Sequence, residues 1–239
     1  MRRSLIICWS CALLLISLNW VHADQRSYVW TYPYISTEPG HAELEHYYTT
    51  TTPNLDQPEG TTTTEHQFEV EIGMNERFDV AIYQVFKQAP DDALKYNGYK
   101  LRCRYRLGER GKWFIDPQLY AEYKGKSDFH EHELEGKLIL ARDFDRWNIA
   151  LNPVFEAEWE DSEWETETKL NAGISYHPTK LLAVGMELQT SEDATYLGPT
   201  ISHGEDGLWV ALGSAFAAGD VEEGAAEFKL RMILGVGIH

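Results

Sequence analysis

Residues 100–107 read Lys-Leu-Arg-Cys-Arg-Tyr-Arg-Leu, a stretch in which basic and apolar side chains alternate one by one. Successive side chains of a β-strand point to opposite faces, so this alternation places Leu101 and Cys103 on one face and Arg102 and Arg104 on the other. Residues 67–74 read Gln-Phe-Glu-Val-Glu-Ile-Gly-Met and repeat the pattern with glutamates in place of arginines. No segment shows a sustained helical period, and the sequence therefore predicts an all-β fold.

The same alternation recurs outward from this stretch in twelve segments. We predict strands over residues 40–50, 63–74, 77–87, 95–107, 112–123, 129–141, 146–159, 164–176, 180–190, 195–203, 207–217 and 225–238. Most are about twice as long as strands of soluble proteins, and about 10 tilted residues are what a strand needs to cross a bilayer. Tight, charged turns such as 75–76 and 108–111 alternate with longer loops such as 51–62 and 218–224. Residues 124–128 form a short loop that belongs to the set of longer loops. This asymmetry predicts a single antiparallel up-and-down transmembrane β-barrel of about 12 strands, with both termini on the short-turn, periplasmic side.

Aromatic residues on the apolar face lie near the ends of the predicted strands. Those next to the short turns are Phe78, Trp113, Trp147 and Tyr176, and those next to the longer loops include Tyr123, Trp159 and Trp164. Two rings of amphipathic aromatic side chains at the two membrane interfaces are typical of a membrane barrel. A soluble β-sandwich would more often place its aromatic residues in the middle of shorter strands.

The N-terminus has the features of a secretory signal peptide. Arg2 and Arg3 precede an apolar run from Leu5 to Leu18, and Val21-His22-Ala23 fits a signal-peptidase site, so we expect cleavage after Ala23. The apolar run is too short for a transmembrane anchor. The chain then divides into a signal peptide over residues 1–23, a periplasmic N-terminal lead-in over residues 24–39 and a transmembrane β-barrel over residues 40–239.

Composition excludes several classes of function. A formal charge of −17 makes a nucleic-acid partner unfavourable, because phosphate binding needs basic patches. Cys103 is the single cysteine beyond the predicted signal peptide, which excludes a disulfide scaffold and a cysteine-rich zinc site. Some outer-membrane barrels are hydrolases, but Ser202 and His203 are adjacent and point to opposite faces, so they cannot form a serine–histidine pair. We expect no enzyme activity and no cofactor.

The chain resembles bacterial outer-membrane β-barrel proteins. The resemblance is carried by the signal peptide, the alternating strands, the aromatic rings and the closing segment Phe228–His239. The opening Tyr34–Glu45 is similar to that of uncharacterised porin-like barrels described as transporters. The resemblance implies residence in the bacterial outer membrane, with membrane lipids and the barrel insertion machinery as partners.

If the apolar face meets lipid, the charged face lines the lumen. The predicted basic side of a lumen constriction consists of Lys100, Arg102, Arg104, Lys229 and Arg231. The predicted acidic side consists of Glu43, Glu45, Asp79, Asp116 and Glu122. The fourth strand lies between strands that carry Asp79 and Asp116, and closure of the barrel would bring Lys229 and Arg231 beside Glu43 and Glu45. Such ladders either lock the lumen as a structural network or create a transverse field across a narrow pore.

A second group of carboxylates is expected at the outer mouth. It consists of Glu131, Glu133, Glu156, Glu158, Glu165 and Glu167, with few compensating bases. This group predicts either a cation-attracting vestibule or an ordinary solvated rim. His130 and His132 face away from Glu131 and Glu133, and no metal site is predicted from them.

The leading hypothesis is a narrow diffusion channel or transporter for ions or small polar solutes, with a charge-segregated lumen. One alternative is a non-conducting structural or adhesion barrel of the outer membrane. A second alternative is a soluble periplasmic β-barrel or sandwich that binds a ligand. The solute, the gating and the oligomeric state stay open.

Overall fold

The structure is a computed structural model that describes residues 25–160, 163–205, 207–219, 221–222 and 224–238. The predicted signal peptide lies outside these residues. In the described part of the chain, no helix is long and apolar enough to cross a membrane.

Twelve antiparallel strands form the fold. They are β1 (Ala42–Thr52), β2 (Thr63–Asn75), β3 (Phe78–Gln88), β4 (Lys95–Arg106), β5 (Asp116–Lys126), β6 (His132–Phe144), β7 (Trp147–Glu160), β8 (Glu163–Tyr176), β9 (Leu182–Thr190), β10 (Thr195–Glu205), β11 (Leu208–Ala217) and β12 (Phe228–Ile238). Each strand pairs with its neighbours in sequence, and β1 pairs with β12 from Ala42 opposite Ile238 to Thr52 opposite Phe228. The prediction of a single closed up-and-down barrel is confirmed.

The two faces of the strands differ as the alternation predicts. On β3 and β4 the apolar Ile82 and Leu101 are 55% and 46% exposed, whereas Arg102 and Arg104 are buried. A wall of exposed apolar side chains on a closed barrel is suited to lipid, since hydrocarbon does not penalise apolar surface and closure satisfies the backbone hydrogen bonds. The charged side chains therefore face the lumen.

The barrel has two different ends. We call the end that carries residue 42 and the connections β2–β3, β4–β5, β6–β7, β8–β9 and β10–β11 the short-turn end, and the opposite end the loop end. The connection β4–β5 is longer than predicted and spans residues 107–115, because β5 begins at Asp116 instead of residue 112. Both carboxylate oxygens of Asp116 accept hydrogen bonds from the Gly111 amide (2.8 and 2.9 Å), which holds this turn in place. The sequence predicts Trp113 within the fifth strand, but this residue lies in the turn. Trp113 and Ile115 continue the alternation of apolar residues, although neither pairs with β4.

Three prolines lie within strands without shifting the strand register. Pro117 is the second residue of β5, and its carbonyl accepts a hydrogen bond from Leu107. The pairing of β6 with β7 is interrupted at Pro153 and that of β10 with β11 at Pro199, and both resume in the same register. Proline has no amide hydrogen to donate, so a local loss of pairing is the expected consequence.

The register of β11, which the sequence leaves open, is decided by Trp209. Its ring faces inward and is buried, and its Nε1 donates a hydrogen bond to Glu43 (2.5 Å). Gly235 on β12 makes room for the ring, because a Cβ at this position would lie 2.3 Å from it. Leu208 and Val210 consequently face outward.

Residues 25–37 run inside the barrel, and the exposed Glu38 ends this segment. Tyr28, Val29 and Thr31 are fully buried among inward-facing side chains, although this segment contributes no strand. This position differs from the expected periplasmic lead-in over residues 24–39. The sequence shows no strand pattern here, but the segment is rich in aromatic residues, whose burial stabilises the interior. We call residues 25–38 the plug.

Candidate functional site

The plug is a loop that enters and leaves at the short-turn end. At its start, the Gln25 amide donates to the Leu181 carbonyl and to Ser202, and just after its end Gly40 pairs with Gly73 of β2. Its apex is held by Glu187 on β9, whose carboxylate accepts hydrogen bonds from the backbone amides of residues 29–31 at 2.8, 2.9 and 2.7 Å. Several amide donors on one carboxylate make a strong, charge-assisted anchor.

Further contacts fix the plug on both sides of its apex. The Tyr28 hydroxyl lies 2.9 Å from both the side-chain and the backbone carbonyl oxygen of Asn148, which share its single hydrogen. The Asn152 side chain accepts a hydrogen bond from the Tyr32 amide (2.6 Å) and donates one to the Tyr32 carbonyl (3.0 Å). A side chain that satisfies both groups of one backbone residue fixes its position.

Inward-facing glycines provide the space for the plug. A Cβ at Gly173 would lie 2.6 Å from the Tyr28 ring, and a Cβ at Gly213 would lie 2.4 Å from Val29. The inner face of β8 to β11 also carries Ala183 and Ala211, whereas β1 to β4 carry long charged side chains inside. This run of small inward residues is the signal in the sequence from which a lumen-filling segment could have been predicted.

The plug also places a histidine at the short-turn end. His177, in the turn between β8 and β9, lies 3.2 Å from the Ser27 hydroxyl. Burial lowers the pKa of His177 below its usual value of 6.5, so the ring is neutral at pH 7 and suited to a hydrogen bond with a hydroxyl.

The buried charge cluster consists of Arg102, Arg104, Glu69, Glu71 and Asp79. Arg102 contacts Glu69 at 2.8 Å and Glu71 at 2.5 Å, and Arg104 contacts Glu71 and also Asp79 (2.9 Å). Each of the five is at most 5% exposed by its side chain. The predicted pairing of β3 acid with β4 base is present, and Glu69 and Glu71 of β2 add two further acids.

These contacts reach across three strands because the middle strand is small at the crossing point. Ala81 of β3 lies opposite both Arg102 and Glu71 in the strand register. The arginine and the glutamate therefore meet over a methyl group. The plug joins the cluster at Thr37, whose hydroxyl donates to Glu71.

The other residues of the predicted acidic side have separate partners. Glu45 lies 3.7 Å from Arg26 of the plug and accepts a hydrogen bond from Tyr47. Glu122 lies 3.3 Å from Lys100. Glu43 and Asp116 accept the hydrogen bonds from Trp209 and Gly111 described above.

The expected pairing of Lys229 and Arg231 with Glu43 and Glu45 is not present. In the closing register Glu45 lies opposite Gly235, while Arg231 lies opposite Thr49, four residues nearer the loop end. The two bases consequently belong to the opposite half of the lumen. Arg231 donates to the Thr49 hydroxyl (2.9 Å) and to the Val29 carbonyl of the plug (3.3 Å).

The predicted acidic cluster at the mouth is compensated by lysines. Lys124 lies 2.5 Å from Glu133, 2.9 Å from Glu135 and 3.7 Å from Glu156. Other contacts join Lys126 to Glu131 (2.5 Å) and Lys169 to Glu156 and Glu167 (2.7 and 2.8 Å). Glu158 and Glu165 line a neighbouring recess at the loop end.

This compensation corrects the expectation of few bases. The alternation in the sequence predicts that the fifth strand ends at residue 123 and that Lys124 lies in a loop, whereas β5 continues to Lys126 and turns Lys124 inward. Carboxylate oxygens of Glu133, Glu135 and Glu156 lie within 4.8 Å of one another, a spacing that also suits a cation. The ammonium group of Lys124 already supplies positive charge to these three carboxylates.

Above the plug, a cavity of about 420 Å³ occupies the loop-end half of the lumen. Its floor includes Trp30 and Tyr32 of the plug, and its walls carry Lys100, Glu122 and the lysine–glutamate groups just described. A cavity of this size suits a small solute. The described lumen is therefore occupied in its short-turn half and hollow in its loop-end half.

The predicted aromatic rings lie on the outer wall, with the exception of Trp113. Trp147 and Tyr176 form a pair with ring centroids 4.9 Å apart at the short-turn end, and Phe78 begins β3 at the same end. Tyr123, Trp159 and Trp164 lie toward the loop end on β5, β7 and β8.

The solved structures with a similar fold include outer-membrane porins and channels. The KdgM porin is matched at 9% identity over 82% of this chain and 99% of that chain, with a TM-score of 0.60. An outer-membrane channel from Pseudomonas putida F1 is matched at 11% identity over 88% and 100%, with a TM-score of 0.58. The NanC porin is matched at 11% identity over 83% and 99%, with a TM-score of 0.53. No protein-family model and no curated protein matches the sequence.

The chain therefore has the fold of the outer-membrane porins. Its closed antiparallel barrel and apolar outer wall are those of a protein that resides in the outer membrane. At identities of 9–11% the likeness concerns the fold, and the lumen of this chain has to be interpreted from its own residues.

Proposed function

We propose that this protein is an outer-membrane channel for small polar solutes, and that the plug closes the channel in the conformation described. The observation that carries the proposal is the division of the lumen into a hollow loop-end half and a short-turn half filled by residues 25–38. Movement of the plug would join the cavity to the other side of the membrane. Solutes would cross the membrane through the channel by diffusion, and the protein would catalyse no chemical reaction.

Solved structures of the same fold support the proposal at the level of the class. One structure of the KdgM porin is described as a complex with disordered oligogalacturonate, so a barrel of this fold accepts a small polar solute. Cleavage after Ala23, as proposed from the sequence, would leave a mature chain that starts immediately before the plug. The plug would then be the N-terminal segment of the mature chain, and its only covalent link to the barrel would be at its C-terminal end.

The sequence suggests charge segregation along the lumen, and we propose it for the loop-end cavity alone. Around the buried charge cluster, acids and bases interlock, so no transverse field separates them. Of the five carboxylates that line the loop-end cavity in the described part of the chain, four (Glu122, Glu135, Glu156 and Glu167) lie on β5 to β8 and one (Asp193) lies between β9 and β10, whereas Lys229 and Arg231 lie on β12, across the barrel from β6 and β7. Segregation would act on solutes in this cavity alone.

The experiment is a reversible cross-link of the plug to the wall. Tyr28→Cys with Gly173→Cys, in a Cys103→Ser background, places two thiols at a contact that is now made by the Tyr28 ring. We expect planar bilayers containing the reduced protein to show opening events, and the oxidised protein to remain closed. Tyr28→Cys without the second cysteine is the matched control and should conduct equally before and after oxidation.

Two results would contradict the proposal. Equal conductance of the oxidised and reduced double variant would mean that the plug does not control the pathway. An absence of conductance in both states, with the barrel intact, would favour the alternative of a non-conducting structural barrel. That alternative is supported by the buried charge cluster, which crosslinks β2, β3 and β4 inside the lumen.

A further inference from the structure

Among the bases that line the loop-end cavity, Lys229 and Arg231 differ from the other four. Lys100, Lys124, Lys137 and Lys169 each contact a glutamate within 3.3 Å. In the described part of the chain, neither Lys229 nor Arg231 has a carboxylate within 4.0 Å. The cavity therefore has one corner whose positive charge is not neutralised by a direct ion pair.

This corner is also the point where two cavities meet. Lys229, Arg231, Trp30 and Gln189 line both the cavity of about 420 Å³ and a neighbouring one of about 520 Å³ toward β1 to β3. A solute that moves between them passes these side chains. The location of this corner between the two cavities and its positive charge would favour binding of an anionic solute there.

Aromatic rings complete the corner. The ammonium group of Lys229 lies 3.7 Å from the centre of the Tyr196 ring, and the guanidinium of Arg231 lies 5.7 Å from that of Trp30. Arg231 makes two hydrogen bonds with the protein, to Thr49 and to Val29, of the five that a guanidinium can donate. Both rings are buried and therefore hold the two bases in place, while the unused donors of Arg231 match an anionic group on a small solute.

We propose that the Lys229–Arg231 corner is a binding site for small organic anions, in which a carboxylate or phosphate on a sugar ring contacts the two bases. The inference rests on the proposed function in one respect, because it names the class of solute that the channel would accept. The carboxylate or phosphate forms charge-assisted hydrogen bonds with Arg231 and Lys229, and the sugar ring occupies the cavity of about 420 Å³ beside them.

The test is equilibrium binding to the full-length protein in detergent, measured by titration calorimetry. The probes are glucuronate and glucose 1-phosphate, with glucose as the uncharged and glucosamine as the cationic comparison. We expect at least one of the two anions to bind about tenfold more tightly than glucose, and glucosamine to bind no better than glucose. The better of the two anions identifies the group that the corner prefers.

Substitutions separate this corner from general attraction by charge. Lys229→Gln and Arg231→Gln should each weaken binding of the preferred anion about tenfold. Lys180→Gln, which removes the same charge from an exposed turn at the short-turn end, should leave the affinity unchanged. Equal affinities for the anions and glucose, or an affinity that survives both substitutions at the corner, would overturn the proposal. Binding is read without any flux, so this result is independent of whether the plug opens.

Discussion

At the scale of the residue, the lumen depends on charged side chains that share partners. Glu71 contacts both arginines of the buried charge cluster, and Asp79 is fully buried beside them. A buried charge is costly unless it is paired, so loss of one partner affects the others. The cluster therefore acts as a unit.

The first prediction concerns this cluster. Arg104→Ala leaves Asp79 with a single, longer contact to Arg102 (3.5 Å) and should lower the free energy of unfolding by about 3–5 kcal/mol. Arg110→Ala removes an exposed contact to Asp143 of 2.7 Å and should cost less than about 1 kcal/mol. Urea unfolding in detergent, followed by tryptophan fluorescence, measures both. Equal losses in the two variants would contradict the role given to the cluster.

A second prediction at this scale concerns the anchor of the plug. Glu187→Ala leaves three buried backbone amides without their acceptor, at about 1–3 kcal/mol each, and should release the plug. Trypsin should then cleave after Arg26, which is 2% exposed in the native protein. Mass spectrometry of the N-terminus detects the cut. Glu192→Ala, in an exposed loop, is the control and should leave Arg26 protected.

At the scale of the element, the bounds of a strand follow from the alternation of apolar and polar residues and from the position at which this alternation ends. Most strand ends agree with the sequence prediction within about three residues, because one lipid-facing and one lumen-facing side chain are needed at every step. The early start predicted for β5 has a local cause. The apolar residues Trp113 and Ile115 continue the alternation into a turn, so periodicity alone starts this strand too early.

The third prediction concerns the outer face of a strand. Ile82→Arg places a charge near the middle of β3 on the lipid-facing wall and should cost about 2–4 kcal/mol of stability. Phe114→Arg changes an apolar side chain that is 89% exposed in the β4–β5 turn, and it should have little effect on stability. Unfolding in lipid vesicles compares the two. A small effect at Ile82 would argue that this wall does not face lipid.

At the scale of the whole molecule, closure between β1 and β12 satisfies the last pair of strand edges. A closed barrel has no free edge at which unfolding can begin, and the plug adds contacts between distant strands from inside. The molecule should therefore resist denaturation as one unit.

The fourth prediction follows from closure. The detergent-extracted protein should migrate differently on an SDS gel before and after boiling, because SDS at room temperature does not open a closed membrane barrel. Extraction should require detergent. Identical migration together with recovery in the soluble periplasmic fraction would favour the soluble alternative over the membrane barrel.

The sequence by itself determined the all-β class, the number of strands and the assignment of the strand faces, with the exception of β11. These properties are local, since the direction of a side chain in a strand depends only on whether its position is odd or even. The tertiary structure alone decided that Arg102 meets Glu71 over Ala81, that Lys229 and Arg231 lie far from Glu45, and that the plug fills half of the lumen. Such contacts depend on the register at which the barrel closes and on the volume left inside it. No pattern within one strand carries that information.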